Sequence, residues 1–281
     1  MNSRRFPAKI LLFGEYTVIN GSEALALPFN SFSGSWQSNA GEKYEWNPLL
    51  RFLQARPQLL DLARLESDLE KGYGFASTIP QGKGLGSSGA LVAALFHAYA
   101  PNTDLSLQSI RESLAELEGH YHGQSSGVDP LVSWVDKPLL LKGTDSPQVV
   151  ELPREDWQKT QRWFLVDSGV ARHSAPLVAV FKQKRSDVKF QETLGQLEKL
   201  VSECIEDYQN LDEAHMGLHM EELSRLQLMA FSEMIPKDLR SVWEQGLETR
   251  QFALKLCGAG GGGYFIGYRL RGSYPVATLL F

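Results

Sequence analysis

Three stretches of this 281-residue chain carry groups that could handle an anion or a proton. The first is Pro80-Gln81-Gly82-Lys83-Gly84-Leu85-Gly86-Ser87-Ser88-Gly89. Its glycines let backbone N–H groups approach an oxyanion, Lys83 adds positive charge, and Ser87 and Ser88 offer hydroxyls to a phosphate or a metal. The following segment, Ala90–Ala100, contains no Asp, Glu, Lys or Arg. No acidic side chain therefore answers the positive end of the helix that begins here. An anion site completed by a ligand fits this pattern, and so does a buried helix with a serine N-cap. Gly84, Gly86 and Gly89 also meet G-x-G-x-x-G, with Asp104 about twenty residues on, as in a dinucleotide fingerprint. Against that reading, Leu105–Glu118 has a helical pattern where the second strand of a βαβ unit belongs. The Walker pattern is absent.

The second stretch is Lys255-Leu256-Cys257-Gly258-Ala259-Gly260-Gly261-Gly262-Gly263. Consecutive glycines weaken a strand, and a tight turn needs only one or two, so close approach of another backbone or of a ligand is the better account. The third is Gly123-Gln124-Ser125-Ser126-Gly127, which formally matches the nucleophile elbow of serine hydrolases. Ser125 would be the nucleophile, with Asp167 and either His173 or His215 completing a triad. The strand that should precede the elbow is missing, because Glu118–His122 reads as the end of a helix. His215 and His219, one helical turn apart, lack the glutamate of H-E-x-x-H and read as a solvated face. His120 and His122 alternate as zinc ligands can, with no third ligand in view. Cys257 reads as a small buried residue.

The elements that must position these groups are mixed. Ala8–Phe13 predicts a strand that turns at Gly14, and Tyr73–Thr78 predicts another. Phe32–Gln37 and Lys43–Trp46 flank Asn39-Ala40-Gly41 and read as a hairpin. Leu107, Ile110, Leu114 and Leu117 mark one face of a helix; Glu118, four residues after Leu114, projects beside that apolar stripe. Asp129 before Pro130 has the form of an N-cap followed by Pro at N1. Polar and turn-forming residues over Lys142–Pro153 suggest a boundary, giving domains 1–155 and 156–281. Arg162–Val166 reads as a strand, Pro176–Arg250 as mostly helical with a break near Ile235-Pro236, and Tyr264–Tyr268 and Val276–Phe281 as strands. Strands and helices without regular βαβ alternation predict an α+β fold.

Composition limits the function classes. Hydrophobic residues make up 43% and charged residues 22%, an ordinary globular mixture, and the formal net charge of −5 argues against a nucleic-acid partner. No apolar run approaches the ~18 residues that cross a bilayer. The Ile10–Phe13 run is too short for a signal-peptide core, and Cys204 and Cys257 are too few for a disulfide framework. A cytoplasmic protein is expected.

Both glycine loops, in this order, resemble those of the GHMP kinases, ATP-dependent kinases of small molecules. Pro7-Ala8-Lys9-Ile10-Leu11-Leu12-Phe13-Gly14-Glu15-Tyr16 is similar to the family's first motif, Pro80–Gly89 to its phosphate-binding second, and Lys255–Gly263 to its third. His122-Gly123-Gln124-Ser125-Ser126-Gly127-Val128-Asp129 is similar to the segment ending in the catalytic aspartate of the branch that acts on mevalonate. The resemblance implies a two-domain α+β GHMP kinase fold with ATP in the cleft between the domains. It implies that Asp129 takes or polarises the acceptor hydroxyl proton and that Lys9 orients Asp129. Lys83, Gly84, Leu85, Gly86, Ser87, Ser88 and Gly89 would bind ATP, and Ser88 and Glu118 would hold Mg²⁺. Glu15, Tyr16, Arg172 and Gly260 would face the acceptor.

The expected acceptor is mevalonate, with phosphomevalonate or a sugar or amino alcohol as alternatives, and a homodimer is among the expected assemblies. Tyr16 stands where histidine is usual in that branch, Gly89 where alanine is common, and Cys257 where Thr or Ser is usual. A non-catalytic ATP-binding protein that keeps the fold is the remaining alternative, against which all the carried-over positions hold chemically competent residues.

Overall fold

Long apolar strands and helices of several kinds build this chain, and what decides their arrangement is where each apolar face finds cover. The computed structural model describes residues 4–40, 44–101, 104–143, 145–172, 174–271 and 278–280. Strands are β1 (Arg5–Phe13), β2 (Glu23–Ser38), β3 (Tyr73–Ser77), β4 (Leu139–Lys142), β5 (Gln148–Val149), β6 (Trp163–Asp167), β7 (Phe252–Lys255), β8 (Tyr264–Arg269) and β9 (Thr278–Leu280). Helices are α1 (Asn47–Gln54), α2 (Leu62–Glu70), α3 (Ser87–Tyr99), α4 (Leu107–His122), α5 (Val128–Val135), α6 (Arg154–Thr160), α7 (Ser174–Lys184), α8 (Val188–Asn210), α9 (Glu213–Ala230) and α10 (Lys237–Glu248). Short 3-10 turns occupy Thr17–Asn20 and Ser232–Met234. The mixture is α+β, as the lack of βαβ alternation predicts.

The chain forms two compact units that no single cut separates. The first comprises Met1–Ile10, Leu27–Gln81 and Leu85–Pro138; the second comprises Leu11–Ala26, Gly82–Gly84 and Leu139–Phe281. Strands β1 and β2 and the loop before α3 therefore each pass from one unit into the other. Within the first unit, the far half of β2 pairs antiparallel with β3, Trp36 opposite Phe75 and Ser38 opposite Tyr73. Helix α3 is buried nearly all round, packing against α2, α4, α5 and β3, as a segment without charges requires. Ile110, Leu114 and Leu117 of α4 form its buried stripe.

Within the second unit, the near half of β2 pairs with β4, from Glu23 opposite Lys142 to Ala26 opposite Leu139, and β4 continues to β5. A separate antiparallel sheet runs in the order β7-β8-β6-β9. Helices α8 and α9 pack on one another, and α9 and α10 cover β7. Trp157, Trp163, Tyr208 and Tyr268 form an aromatic cluster beside the sheet, with the Trp157 and Tyr208 rings stacked at 5.2 Å.

Two local expectations are corrected. The strand after β2 is not Lys43–Trp46: Asn39 turns the chain, but its N–H bonds the carbonyl of Gly72, and β3 takes the ladder. Tyr44 and Trp46 instead lay their rings against Phe75 and Trp36. Gly41 and Lys43 lie outside the described residues. Asp129 is not a cap either, because α5 begins one residue earlier, from Gly127, and Asp129 occupies its first turn. The helical region starts at Ser174 and is also interrupted at 185–187 and 211–212, each break closing on an aspartate cap. Of the strand expected over Val276–Phe281, residues 278–280 pair with β6, and Val276, Ala277 and Phe281 lie outside the described residues. Among the described residues no helix is long and apolar enough to cross a membrane.

Candidate active site

Helices α2, α4, α8 and α9 begin with an Asp or Ser side chain that accepts a hydrogen bond from the first turn. Helices α3 and α5 do not: each starts from a glycine at positive φ, Gly86 and Gly127, with no capping side chain. At α5 the Gly127 and Val128 N–H groups are taken by the hydroxyls of Ser125 and Ser126, and Asp129 stands in the first turn; at α3 no cap and no acidic side chain answers the start, which suits an anion.

Around them, the first unit gathers the charged candidates. Lys9, on β1, is buried, and its Nζ lies 2.8 Å from Oδ1 of Asp129; the Lys9 side chain is 4% exposed and that of Asp129 38%. The Lys9 backbone N–H donates to the carbonyl of Leu85, which ties β1 to the glycine loop. Gly89 explains the closeness of α3 to α5: a Cβ there would stand 2.9 Å from the Asp129 carbonyl carbon and from the Pro130 nitrogen. Alanine at this position would push the carboxylate away from Lys9.

Next to this pair, Ser88 Oγ donates to Oε1 of Glu118 at 3.3 Å and lies 2.9 Å from Nε2 of His122. Ser125 Oγ donates to the other Glu118 oxygen at 2.5 Å and accepts from the Gly127 N–H. Burial, and then the charge of Asp129, push the Glu118 carboxyl up to about 7, which Ser125, Lys9 and Ser88 only partly offset. Glu118 is a buried carboxylate short of positive charge. A small divalent cation fits that deficit: carboxylate and hydroxyl oxygens are hard donors, and Mg²⁺ typically takes one or two carboxylates besides phosphate. Among the described residues there is no group of three or more His, Cys, Asp or Glu that could hold a metal by itself.

The second unit gathers the other candidates. Lys83 Nζ is paired with Oδ1 of Asp167 at 2.6 Å. The Arg172 N–H donates to the Gly82 carbonyl, and its guanidinium donates to the Cys257 carbonyl at 3.0 Å. That guanidinium fills the space where side chains at Gly84 and Gly258 would stand. Residues Leu256 to Gly263 approach other backbone closely, as the run of glycines suggests. A Cβ on Gly263 would meet the Lys83 carbonyl oxygen at 2.5 Å, and Gly263 exchanges bonds with Val170 and Ser168. Gly260 sits over the Met234 carbonyl, with φ +71°. Glu15 and Tyr16 are both buried: Glu15 pairs with Lys255 Nζ at 2.5 Å, and the Tyr16 hydroxyl donates to the Ala259 carbonyl at 2.7 Å. Burial pushes the Glu15 carboxyl up, while Lys255 and, less strongly, the Gly258 N–H pull it back.

Lys255, His122 and Ser125 had no role assigned from sequence in this setting. The signal for Lys255 was present: a lysine in the apolar run Phe252–Leu256 must find a partner if the strand is buried. The hydrolase reading loses its geometry. Ser125 follows a helix and its hydroxyl is bound to Glu118, Asp167 is paired with Lys83, and His215 is bonded to Asp212. His173 lies outside the described residues. His219 bonds Asp207, so the two histidines of α9 each face a carboxylate. Cys257 is buried, as expected.

Comparison with known proteins accords with this arrangement. The family model for the GHMP kinases N terminal domain matches residues 51–136. The mevalonate kinase of Archaeoglobus fulgidus is 25% identical, covering 98% of this chain and 94% of its own. That of Pyrococcus abyssi is 27% identical, covering 92% and 85%. The chain is thus similar to the GHMP kinases over residues 51–136, and to mevalonate kinases over nearly its whole length. The fold agrees with solved members. The Leishmania major enzyme (L. major mevalonate kinase), in complex with R-mevalonate, superposes with a TM-score of 0.65 at 22% identity, covering 95% of this chain and 87% of that one. Streptococcus pneumoniae phosphomevalonate kinase, in complex with phosphomevalonate and AMPPNP, gives a TM-score of 0.67 at 14% identity, covering 97% and 93%.

Proposed function

We propose that this chain is a GHMP kinase that transfers the γ-phosphoryl group of ATP to a hydroxyl of mevalonate, with Mg²⁺. The observation that carries the reading is the Lys9–Asp129 pair beside Ser88 and Glu118, at the uncapped start of α3 and the first turn of α5. Phosphoryl transfer depends mainly on positioning and on neutralising charge on the phosphoryl oxygens. Ser88 and Glu118 would hold Mg²⁺, which would supply part of that neutralisation. Asp129, only half enclosed, is open enough to receive an acceptor hydroxyl and take or orient its proton. Lys9, paired with Asp129 at 2.8 Å, fixes the direction of its carboxylate. The N–H groups that begin α3, with no side chain of their own to cap them, stabilise oxyanions in the same region.

Mevalonate is favoured by three curated relatives that cover 92% or more of the chain, all called mevalonate kinases. An acceptor already carrying a phosphate needs an extra basic cluster. Of the basic candidates for such a cluster, Lys83 is paired with Asp167, the Arg172 guanidinium bonds the Cys257 carbonyl and Arg4 bonds the Trp134 carbonyl, which leaves Arg5.

The test is ADP release with Mg-ATP and a panel of mevalonate, phosphomevalonate, homoserine and galactose, against a control without acceptor. Stimulation by mevalonate is the expected outcome. Stimulation by another acceptor overturns the substrate, and silence across the panel with ATP still bound overturns the activity.

A further inference from the structure

β7 ends in a lysine that no water reaches: the side chains of Lys255 and Glu15 are both 0% exposed. Removing two charges from water is costly, and a buried ion pair commonly adds no more stability than apolar residues of the same size. What such a pair does supply is geometry. Lys255 Nζ donates to Glu15 Oε1 and also to the Leu256 carbonyl at 2.7 Å, so it binds the end of β1 to the first residue of the glycine loop. Glu15 Oε2 is buried with no hydrogen-bond partner of its own, so the carboxylate depends chiefly on Lys255.

Tyr16 acts on the same loop from the next position. Its φ of +64° lies in the left-handed region, unusual for a bulky residue. Its ring packs on Phe181 and Phe231 at 4.7 and 5.0 Å, while its hydroxyl holds the Ala259 carbonyl. Other anchors complete the seat. Gln227 accepts from the Leu256 N–H, the Met234 carbonyl accepts from Gly261, and the Val170 carbonyl accepts from Gly263. A loop so rich in glycine has many backbone conformations, and these contacts select one.

Resting on the kinase reading, we propose that Glu15, Tyr16 and Lys255 are positioning residues. They fix the backbone of residues 256–263 in the conformation used for phosphoryl transfer, and neither Glu15 nor Tyr16 touches the acceptor. The burial of both side chains leaves them no surface with which to do so.

A double-mutant cycle on the full chain tests this, using Glu15→Gln, Lys255→Met and the two combined, with Tyr16→Phe as a milder probe. Two readouts are needed: steady-state kinetics, and hydrogen exchange of a peptide covering 256–264 against one covering 163–167. We expect each single variant to lower kcat roughly tenfold or more, with the acceptor KM within about threefold of the parent's. The double variant should be no slower than the slower single, because both changes break one contact. Exchange at the Gly261 and Gly263 amides should rise about tenfold while β6 stays protected. If Lys255→Met does not fold, the charge-neutral double variant and Tyr16→Phe carry the test. An acceptor KM raised about tenfold by Glu15→Gln and unchanged by Tyr16→Phe and the Lys255 variants would overturn the proposal in favour of direct contact. So would unchanged exchange in the loop. If the parent protein turns over no acceptor, the kinase reading fails, and the exchange arm still decides whether the clamp exists.

Discussion

The two units each hold a lysine against a carboxylate, and the two pairs differ in one respect. Lys9–Asp129 is buried on the lysine side and 38% exposed on the aspartate side, whereas Lys255–Glu15 is sealed on both. An ion pair with one open face can exchange a proton or receive a ligand. A sealed pair can only hold its surroundings in place. On the proposed readings, the same side-chain chemistry would serve a reaction in the first unit and a backbone conformation in the second, with accessibility deciding which.

Removing the open carboxylate should have the largest effect on turnover. Asp129→Asn keeps the shape of the side chain but loses its basicity, and kcat should fall about 10²–10⁴-fold. ATP binding, followed by calorimetry, should change little. Near-normal turnover would show that the open pair is not where proton transfer occurs.

Stability should separate the pairs the other way. Lys255→Met strands a buried carboxylate and should cost about 3–5 kcal/mol in urea unfolding. Lys9→Met leaves Asp129 able to meet water and should cost clearly less while still impairing kcat. Equal losses would erase the distinction drawn above.

A third expectation concerns Glu118, whose carboxyl burial and Asp129 push up to about 7 from an ordinary 4.5. Because the folded-state value is raised, its contribution to stability is fully present below about 4.5 and is lost as pH rises through about 7. Metal-free protein should therefore be less stable at about pH 8 than at about pH 5, Mg²⁺ should recover part of the loss, and Glu118→Gln should flatten the dependence. Melting curves with and without a chelator measure all three.

The smallest effect is expected at Ser125. Its hydroxyl donates to Glu118 and accepts from the Gly127 N–H without facing the acceptor on the proposed reading, so Ser125→Ala should leave turnover within about tenfold of the parent while raising the Mg²⁺ needed. Complete loss of activity would revive Ser125 as a reacting group.

How much of this could be read from the sequence varies with distance along the chain. The charge-free run Ala90–Ala100 and the stripe of α4 were legible because their patterns are local, and both proved buried. Glu118 was legible as a carboxylate beside an apolar stripe. Lys9 and Asp129 were singled out by family resemblance alone, since an isolated lysine in a strand and an Asp-Pro step have ordinary structural uses. The false hairpin at Asn39 shows the limit: its turn chemistry is real, but the partner strand comes after two helices, and no local pattern announces that. Lys255 and Glu15 fail for the same reason at greater range, 240 positions apart.

That separation has a consequence for biosynthesis. Glu15 leaves the ribosome 240 residues before Lys255 follows it. Throughout that interval the end of β1 lacks the cation that permits its burial, so this part of the second unit cannot consolidate while translation continues. Contacts of such long range also slow folding after release, because a large loop must close before anything rewards it. A nascent chain stalled anywhere short of residue 255 should thus present the Gly14–Tyr16 corner to proteases and chaperones. In the folded chain Glu15 and Tyr16 are buried.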